Sequence, residues 1–337
     1  MIKIIQKIAV VGCFWALTVL VESFTTPLIA QIPDSLFQKD SLVVLITDSG
    51  LGGLAVCGDI ERRAAVEHPF TSLSLIFCNA LPESDYGYNN MTTREEKIQV
   101  FSSALSGMTA WYHPDIILIA CNTLSVIYSE TEFSKTAIIP VVSIVDLGAK
   151  MMFKKLESDT ASTAILFGTE TTIEEDSHRR WLLNRGISPS RIIVQSCPDL
   201  AGEIQADASS DAVKTMIEFY ADDAVQKLPG NSKHIYAGLF CTHYGYAAKD
   251  FISSLTKETE LIVDIVDPTI KMSDVVYLQR FKKKFSKMNV SVQVISRAVI
   301  THEEIRSIGN LLKAASPKTA QALRQYQLKK NLFSFSR

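Results

Sequence analysis

The chain has 337 residues, of which 47% are hydrophobic and 21% charged, and its formal net charge is −2. A chain of this length and composition can bury one large core or two smaller ones and has no low-complexity or disordered signature. The small net negative charge provides no basic field. A nucleic-acid partner is therefore not expected, and a small-molecule ligand is favoured.

The first 30 residues have the pattern of an export signal. Lys3 and Lys7 precede an apolar run from Ile8 to Val21, and a polar stretch follows. The run is shorter than the roughly 20 residues of a membrane-spanning helix. We therefore expect a signal peptide over residues 1–30, with an uncleaved membrane anchor as the alternative. The protein would then be exported, periplasmic or attached to the membrane only through this segment.

Five cysteines follow residue 30, and none has the CxxC spacing of a metal site, so no metal is predicted. Cys57, Cys78 and Cys197 are expected to be small buried hydrophobic residues. A disulfide between Cys57 and Cys78 is left open. Free catalytic thiols would conflict with an oxidising compartment.

From Leu42 onwards, short apolar runs alternate with longer helical segments. Continuous Val, Ile and Leu runs predict strands that are covered on both faces, as in a parallel sheet. In chain order, strands are predicted at 41–48, 72–80, 115–122, 138–146, 160–169, 190–198, 234–243, 261–268 and 290–298. Helices are predicted at 52–68, 93–112, 210–227, 247–258, 271–285 and 303–315.

The βαβ rhythm of the first part resumes after residue 140, as a second copy would. We expect residues 41–140 and 246–312 to form one domain and residues 141–245 to form an inserted second domain. Residues 313–337 would be a basic, solvated C-terminal extension without chemistry.

Two predicted strands run directly into a cysteine: Cys121 in the string ACNT and Cys241 in the string CTHY. The carboxyl ends of parallel strands open into the crevice where α/β sheets bind ligands. A thiolate can act as a general base, so paired thiols predict proton transfer in both directions. His243 would assist Cys241. The alternatives are buried structural cysteines and a structural histidine.

The first strand leads into the turn TDSGLGG at residues 47–53. Its glycines would let backbone N–H groups approach an anion at the start of a helix, and a tight turn without a ligand is the alternative. Neither GxGxxG nor the P-loop pattern is present, so nucleotide binding is not supported. Tyr86 and Gly87 lie in a loop whose backbone donors would hold a carboxylate; an ordinary turn is again the alternative.

The strings TDSGLGG, DYGYNN, ACNT, PVVSIVDLGA, GTETTI, SCPDLAGEI and CTHY resemble, in order and spacing, the aspartate/glutamate racemase family. The resemblance runs from about Val43 to Leu312. It implies an α/β fold of two pseudo-symmetric doubly wound parallel-sheet domains with the active site in the cleft between them, and no cofactor. It also implies a two-base mechanism in which Cys121 and Cys241 flank the α-carbon, with catalytic roles for Asp48 and His243. The substrate-binding residues that it implies are Ser49, Tyr86, Gly87, Asn122, Thr123, Thr172 and Thr242.

The sequence departs from the family at Asp85 and Gly245, where relatives usually have proline, and at Gln205, where glutamate racemases carry glutamate. Asp85 beside the side-chain pocket would repel glutamate.

The function expected from the sequence is a cofactor-independent amino-acid racemase of the aspartate/glutamate type. The alternatives are another isomerase of the superfamily, of the hydantoin racemase or maleate isomerase type, or an exported, non-catalytic small-acid-binding protein. The expected partner is an amino-acid substrate. A homodimer, the particular amino acid, and the use of the product in peptidoglycan biosynthesis or signalling are left open.

Overall fold

The computed structural model describes residues 32–278 and 284–335, and within these ranges it contains two parallel β-sheets flanked by helices. The strands are β1 (Ser41–Asp48), β2 (Ser72–Asn79), β3 (Ile116–Ile119), β4 (Val141–Ser143), β5 (Ser162–Gly168), β6 (Ile192–Ser196), β7 (His234–Phe240), β8 (Ile262–Val266), β9 (Asn289–Ser296) and β10 (Gln327–Leu328). The α-helices are α1 (Leu54–Arg63), α2 (Arg94–Tyr112), α3 (Asn122–Ser125), α4 (Glu132–Thr136), α5 (Ile144–Ser158), α6 (Glu170–Glu174), α7 (Ser177–Leu183), α8 (Leu200–Asp207), α9 (Asp211–Val225), α10 (Ala248–Glu258), α11 (Thr269–Met272), α12 (His302–Lys313) and α13 (Pro317–Arg324). Short 3-10 helices lie at Asp34–Gln38, Tyr128–Glu130, Pro189–Arg191, Tyr244–Ala247 and Ser273–Val275.

The first sheet has the strand order β10-β9-β2-β1-β3-β4, and the second has the order β6-β5-β7-β8. Every hydrogen-bonded pair of strands in these two sheets is parallel. The predicted α/β fold with two parallel-sheet domains is confirmed.

Both faces of the first sheet are buried, as its continuous apolar strands predicted. Val44 and Ile46 of β1 point into a core that includes Ile60 of α1. Leu45, between them, faces the opposite core, which includes Phe101 of α2. Because successive side chains of a strand point to opposite faces, a strand covered on both sides must be apolar throughout.

The second sheet is covered in the same way. Ile165 and Phe167 of β5 join a core with Ile217 of α9, whereas Leu166 packs with Met152 of α5 on the other face. The two sheets therefore present their strand ends on two separately packed scaffolds, which are rigid supports for side chains at the carboxyl ends.

Two strands belong to a different sheet from the one expected from their positions. Val141–Ser143 pairs with β3 of the first sheet, and Ile262–Val266 pairs with β7 of the second. The sheets therefore do not divide at residues 140 and 245. The strand predicted at 138–146 is also shorter, because the Ser143 side chain accepts the Val145 N–H and caps α5.

The expectation of a solvated C-terminal extension is wrong for the described part of that segment. Helix α13 packs Leu323 into the core that contains Ile60. Leu332 is fully buried in the core that contains Phe101, on the opposite face of the same sheet. Strand β10 pairs with β9. The chain crosses α2 so closely that a Cβ at Gly107 would collide with the Leu332 carbonyl oxygen. Apolar burial anchors the tail, although its composition is basic.

The structure also bears on three smaller expectations. The helix predicted at 271–285 is realised only as the short α11 and the 3-10 turn after it, and residues 279–283 lie outside the described ranges. The export signal expected at residues 1–30 also falls outside them. All five cysteines of the described chain are free thiols, so the Cys57–Cys78 disulfide is not formed.

Candidate active site

The two strand-end thiols open onto one cavity of about 270 Å³ between the sheets. Cys121 follows β3 of the first sheet, and Cys241 follows β7 of the second. The lining residues are Asp48, Ser49, Gly50, Leu81, Ser84, Gly87, Tyr88, Asn89, Asn90, Cys121, Asn122, Thr123, Thr169, Ala201, Gly202, Gln205, Phe240, Cys241, Thr242, His243 and Glu304. Each domain therefore contributes one thiol to a space of the size of a small ligand.

Cys121 is only 5% exposed, and its sulfur lies 3.1 Å from the Ser49 hydroxyl oxygen. Burial raises the pKa of this thiol well above its ordinary value, and the negative charge of Asp48 raises it further. The hydrogen bonds from Ser49 and from the Leu124 backbone act in the opposite direction. In the closed site Cys121 is therefore a thiol with a hydroxyl placed to stabilise its thiolate.

Cys241 has a different partner. Its sulfur lies 3.7 Å from Nδ1 of His243, and both side chains are buried. Burial raises the pKa of the thiol and lowers the pKa of the imidazole, because a desolvated charge is unfavourable on either group. The pair is thus a thiol beside a neutral imidazole, with Nδ1 on the side of the sulfur.

The imidazole is held on its other side by Gln205. His243 Nε2 lies 2.9 Å from Gln205 Oε1, and the same oxygen accepts the Leu51 backbone N–H at 2.7 Å. The Gln205 amide nitrogen donates to Glu304 Oε1 at 2.5 Å. These contacts connect α8 of the second domain to the β1–α1 turn and to α12 of the first.

Three backbone donors of the β1–α1 turn are used within the protein. Asp48 accepts the N–H groups of Ser49 and Gly53, at 2.7 and 2.6 Å, and the Thr242 hydroxyl at 2.8 Å. The Leu51 N–H goes to Gln205, as described above. The turn therefore holds the Asp48 carboxylate, and Asp48 in turn braces the first domain against Thr242 of the second.

Comparisons with known proteins agree with this architecture. No family model matches the chain. Among curated proteins, a glutamate racemase of Streptococcus agalactiae is 24% identical over 206 residues, which are 61% of this chain and 70% of that protein. A glutamate racemase of Aquifex pyrophilus is 25% identical over 231 residues, 68% of this chain and 79% of that protein.

Solved glutamate racemases share the fold. The enzyme of Bacillus anthracis aligns with a TM-score of 0.61 at 18% identity, covering 86% of this chain and 96% of that one. The enzyme of Francisella tularensis, solved in complex with D-glutamate, has a TM-score of 0.60 at 17% identity, covering 86% and 95%.

These similarities support assigning the chain to the aspartate/glutamate racemase family. The chain is an amino-acid racemase and therefore an isomerase. The expectation of an exported, periplasmic or membrane-anchored protein is contradicted by the comparison, because the curated relatives are glutamate racemases. No helix within residues 32–278 and 284–335 is long and apolar enough to cross a membrane.

Most of the racemase residues expected to bind substrate line the cavity, and one stands out. The side chain of Asn122 is buried, and in the described part of the chain neither its amide oxygen nor its nitrogen has a hydrogen-bond partner. Buried amides are almost always satisfied. Asn122 belongs to the cavity lining, so its two unpaired atoms are candidates for contact with a polar ligand.

Two expected substrate residues lie outside the cavity lining. The Tyr86 hydroxyl donates to Glu96 at 2.9 Å, while its neighbour Gly87 does line the cavity. Thr172 lies behind the lining, where its hydroxyl is 3.0 Å from that of Thr169, which in turn is 2.9 Å from Thr123. This chain of hydroxyls joins the two domains.

The electrostatics of the racemase cavity are mildly acidic. Asp48 and Glu304 line it, whereas no lysine or arginine of the described chain does. Asp85 is exposed and outside the lining, but its neighbour Ser84 lines the cavity, so the expected repulsion of glutamate by Asp85 stays a prediction. No group of three or more His, Cys, Asp or Glu side chains within the described ranges is arranged to hold a metal ion.

Sequence reasoning missed Thr169, Glu304 and the segment from Tyr88 to Asn90 as cavity residues. The only signal at Glu304 is the spacing Thr301-x-x-Glu304, which the structure realises as a capping box. That spacing predicts the start of a helix and gives no indication of a site.

Proposed function

We propose that this racemase interconverts the enantiomers of glutamate, or of a closely similar acidic amino acid, by direct proton transfer at the α-carbon. The observation that carries the proposal is that Cys121 and Cys241, one from each domain, line the same small cavity. The substrate class is supported by the curated glutamate racemases that the chain resembles.

The proposed reaction needs an acid and a base on opposite faces of one carbon. One thiolate removes the α-proton, and the thiol on the other face donates its proton to the carbanion. One C–H bond breaks, another forms on the opposite side, and the two sulfurs exchange protonation states. Running the reaction from the other enantiomer reverses the two roles.

Each thiolate has its own stabilising partner in the buried site, and Cys121 becomes a thiolate when it donates its proton to the carbanion. Cys241 passes its proton to Nδ1 of His243, at 3.7 Å. The thiolate of Cys121 accepts the Ser49 hydroxyl, at 3.1 Å. Charge-assisted hydrogen bonds of this kind are about twice as strong as neutral ones, and they offset part of the cost of a buried thiolate.

Neutral donors hold the substrate in this proposal. The amide nitrogen of Asn122 donates to a substrate carboxylate, and its oxygen accepts from the substrate ammonium, which satisfies both unpaired atoms. The Thr123 hydroxyl lies beside it in the lining. Fixed dipoles around the carboxylate stabilise the carbanion that forms when the α-proton leaves.

The test is deuterium incorporation from deuterated water, started separately from L- and D-glutamate. Transfer by two separate thiols places solvent deuterium in the product enantiomer at early times and leaves the recovered substrate protiated. Cys121→Ala and Cys241→Ala should each lower racemisation by about 10²–10⁴-fold, the usual contribution of a positioned acid or base.

Cys197→Ala is the matched control, because Cys197 is buried but outside the cavity lining. It should keep its activity. Equal rates in all three variants, or deuterium accumulating equally in recovered substrate and product, would rule out two thiols acting from opposite faces. Turnover of other amino acids but not glutamate would change the substrate and leave the mechanism intact.

A further inference from the structure

We propose that Gln205 is a positioning residue that holds His243 in the one tautomer able to take a proton from Cys241, and that Glu304 fixes Gln205. The inference rests on the proposed roles of His243 and Cys241. It assigns a task to the amide that stands where glutamate racemases carry a glutamate.

The orientation of the Gln205 amide is determined twice. A backbone N–H can only donate, so the amide atom 2.7 Å from the Leu51 nitrogen must be the oxygen. The carboxylate of Glu304 can only accept, so the atom 2.5 Å from it must be the amide nitrogen. A flipped amide would place donor against donor at one end and acceptor against acceptor at the other.

The amide orientation then determines the tautomer of His243. Nε2 lies 2.9 Å from an oxygen that offers only lone pairs, so Nε2 must carry the proton. In a neutral imidazole the other nitrogen is then an acceptor. That nitrogen, Nδ1, faces the sulfur of Cys241, which is the arrangement that proton transfer from the thiol requires.

The Glu304 carboxylate is itself fixed. Its Oε2 accepts the backbone N–H and the hydroxyl of Thr301, at 2.7 and 2.9 Å, in the capping box of α12. The proton path is therefore Cys241 to His243, with Gln205 and Glu304 behind it as orienting groups. When His243 takes the proton, its Nε2–H still donates to Gln205.

The groups that orient the Gln205 amide come from the opposite domain. Gln205 and His243 belong to the second domain, whereas Leu51 and Glu304 belong to the first. The tautomer is thus fixed through contacts between the two domains. These contacts orient the base for Cys241 and do not act in this way on Cys121, whose partner Ser49 lies in its own domain.

The first measurement is the tautomer of His243 by ¹⁵N NMR of histidine-labelled protein without substrate. The wild-type protein should show the proton on Nε2. Gln205→Leu should give a mixture of tautomers or the Nδ1–H form. Gln226→Leu is the control, because Gln226 is an exposed helix-end residue whose amide donates to Asp222.

The second measurement is the rate at which iodoacetamide alkylates each thiol, read by peptide mass spectrometry. Gln205→Leu should slow alkylation of Cys241 by about 10-fold to 100-fold, the equivalent of one hydrogen bond to a charged group. Cys121 shares the same cavity, and its alkylation rate should change by less than about twofold on the same reasoning. The rate at Cys121 therefore reports any general change in the access of iodoacetamide to the cavity.

A pair of isosteric swaps provides the rescue. Gln205→Glu places a second carboxylate against Glu304, and the repulsion should push the side chain out of reach of His243 Nε2. Adding Glu304→Gln returns a donor to that contact, so the double variant should recover the Nε2–H tautomer and the alkylation of Cys241. If the double variant loses the Nε2–H tautomer and the alkylation of Cys241 as fully as Gln205→Glu alone, the proposed contacts are contradicted.

The proposal is overturned if Gln205→Leu leaves the Nε2–H tautomer intact, or if both thiols slow by the same factor. Neither measurement involves turnover. A protein that fails to racemise glutamate but behaves as expected here would refute the proposed substrate and keep the role of Gln205, whereas an active racemase with an unchanged tautomer would do the reverse.

Discussion

A single methyl group at Gly52 should open the site. This glycine lies in the β1–α1 turn, where a Cβ would collide with the Thr242 hydroxyl and lie 2.8 Å from the His243 backbone nitrogen. Among glycines of the described chain, only Gly186 has a positive φ. Gly52→Ala therefore adds a contact between the domains without adding backbone strain.

The size of the effect follows from the geometry. Non-bonded heavy atoms have their optimum at about 3.5–4.0 Å, so a contact at 2.8 Å must relax by about 0.7 Å or more. The Thr242 hydroxyl, which donates to Asp48 at 2.8 Å, would move out of hydrogen-bond range. Overpacking costs about 1–3 kcal/mol of stability, and a displacement near 1 Å at an active site costs about 10²-fold in kcat/KM.

Urea unfolding and racemisation kinetics on one set of variants test this reasoning. Gly309→Ala is the matched control, because a Cβ at this position of α12 would meet nothing within 4 Å. It should keep its activity and gain up to about 1 kcal/mol from helix propensity. A Gly52→Ala protein as stable and as active as the control would refute the close domain approach.

Three further predictions concern parts of the chain that do no chemistry. Burial lowers the pKa of His178 to about 3, so the unfolded chain binds more protons between about pH 3 and 6.5, and stability is lost as the pH falls through this window. His178→Phe, which keeps the stack on Phe240, should flatten that part of the urea-midpoint curve, and an unchanged slope would exclude His178 as its source. Leu332→Ala removes a fully buried side chain and should lower the free energy of unfolding by about 2–5 kcal/mol; a loss below about 0.5 kcal/mol would mean that the tail is not part of the core. Arg94 of the first domain holds Glu175 of the second through two hydrogen bonds, at 2.7 and 2.8 Å. Arg94→Glu should destabilise by about 1 kcal/mol. The double exchange with Glu175→Arg should recover part of this loss, because the hydrogen bond from Arg94 to Glu130 stays broken, whereas additive losses would show no coupling.

The thiols were accessible to sequence analysis because each follows directly from an apolar strand. The continuous runs before Cys121 and Cys241 define parallel strands, and strand direction alone brings both to the carboxyl edge of a sheet. The residue types then identify the chemistry. His243 was predictable for the same reason, since it lies two positions from its sulfur.

The groups behind those residues were not predictable in the same way. Gln205 and Glu304 are 99 positions apart, and neither an amide nor a carboxylate on an amphipathic helix carries a local signal of its partner. The role of the glycine turn was also obscured. Its N–H groups suggested an external anion, whereas Ser49 and Gly53 donate to the internal carboxylate of Asp48. Of the three glycines, Gly52 leaves room for the Thr242 side chain.

The pattern of sheet membership shows a similar limit. Local apolarity located β4 and β8, but the sheet that each joins depends on which neighbour offers free backbone groups, and that is a property of the assembled chain. The C-terminal segment was misjudged on its basic composition. Lys329 lies over the Trp111 ring at 3.3 Å, and apolar residues further along the tail are buried, so its charges lie over a packed stretch.

Cys241 has an oriented imidazole beside it, whereas Cys121 has only the Ser49 hydroxyl. Thermodynamics limits how this difference between the two thiols can appear in the kinetics. Enantiomers have equal free energy in water, so the equilibrium constant of a racemisation is 1 and kcat/KM must be the same in both directions for every variant. Gln205→Leu removes the contact to His243 beside Cys241, whereas its contact on the Cys121 side is to the Leu51 backbone and not to Ser49 or the thiol. It should nevertheless lower kcat/KM equally for both enantiomers, and the asymmetry should appear as unequal changes in kcat and KM. Progress curves from each pure enantiomer measure all four constants. Identical changes of kcat and of KM in both directions would argue against a role for Gln205 on one side of the reaction only.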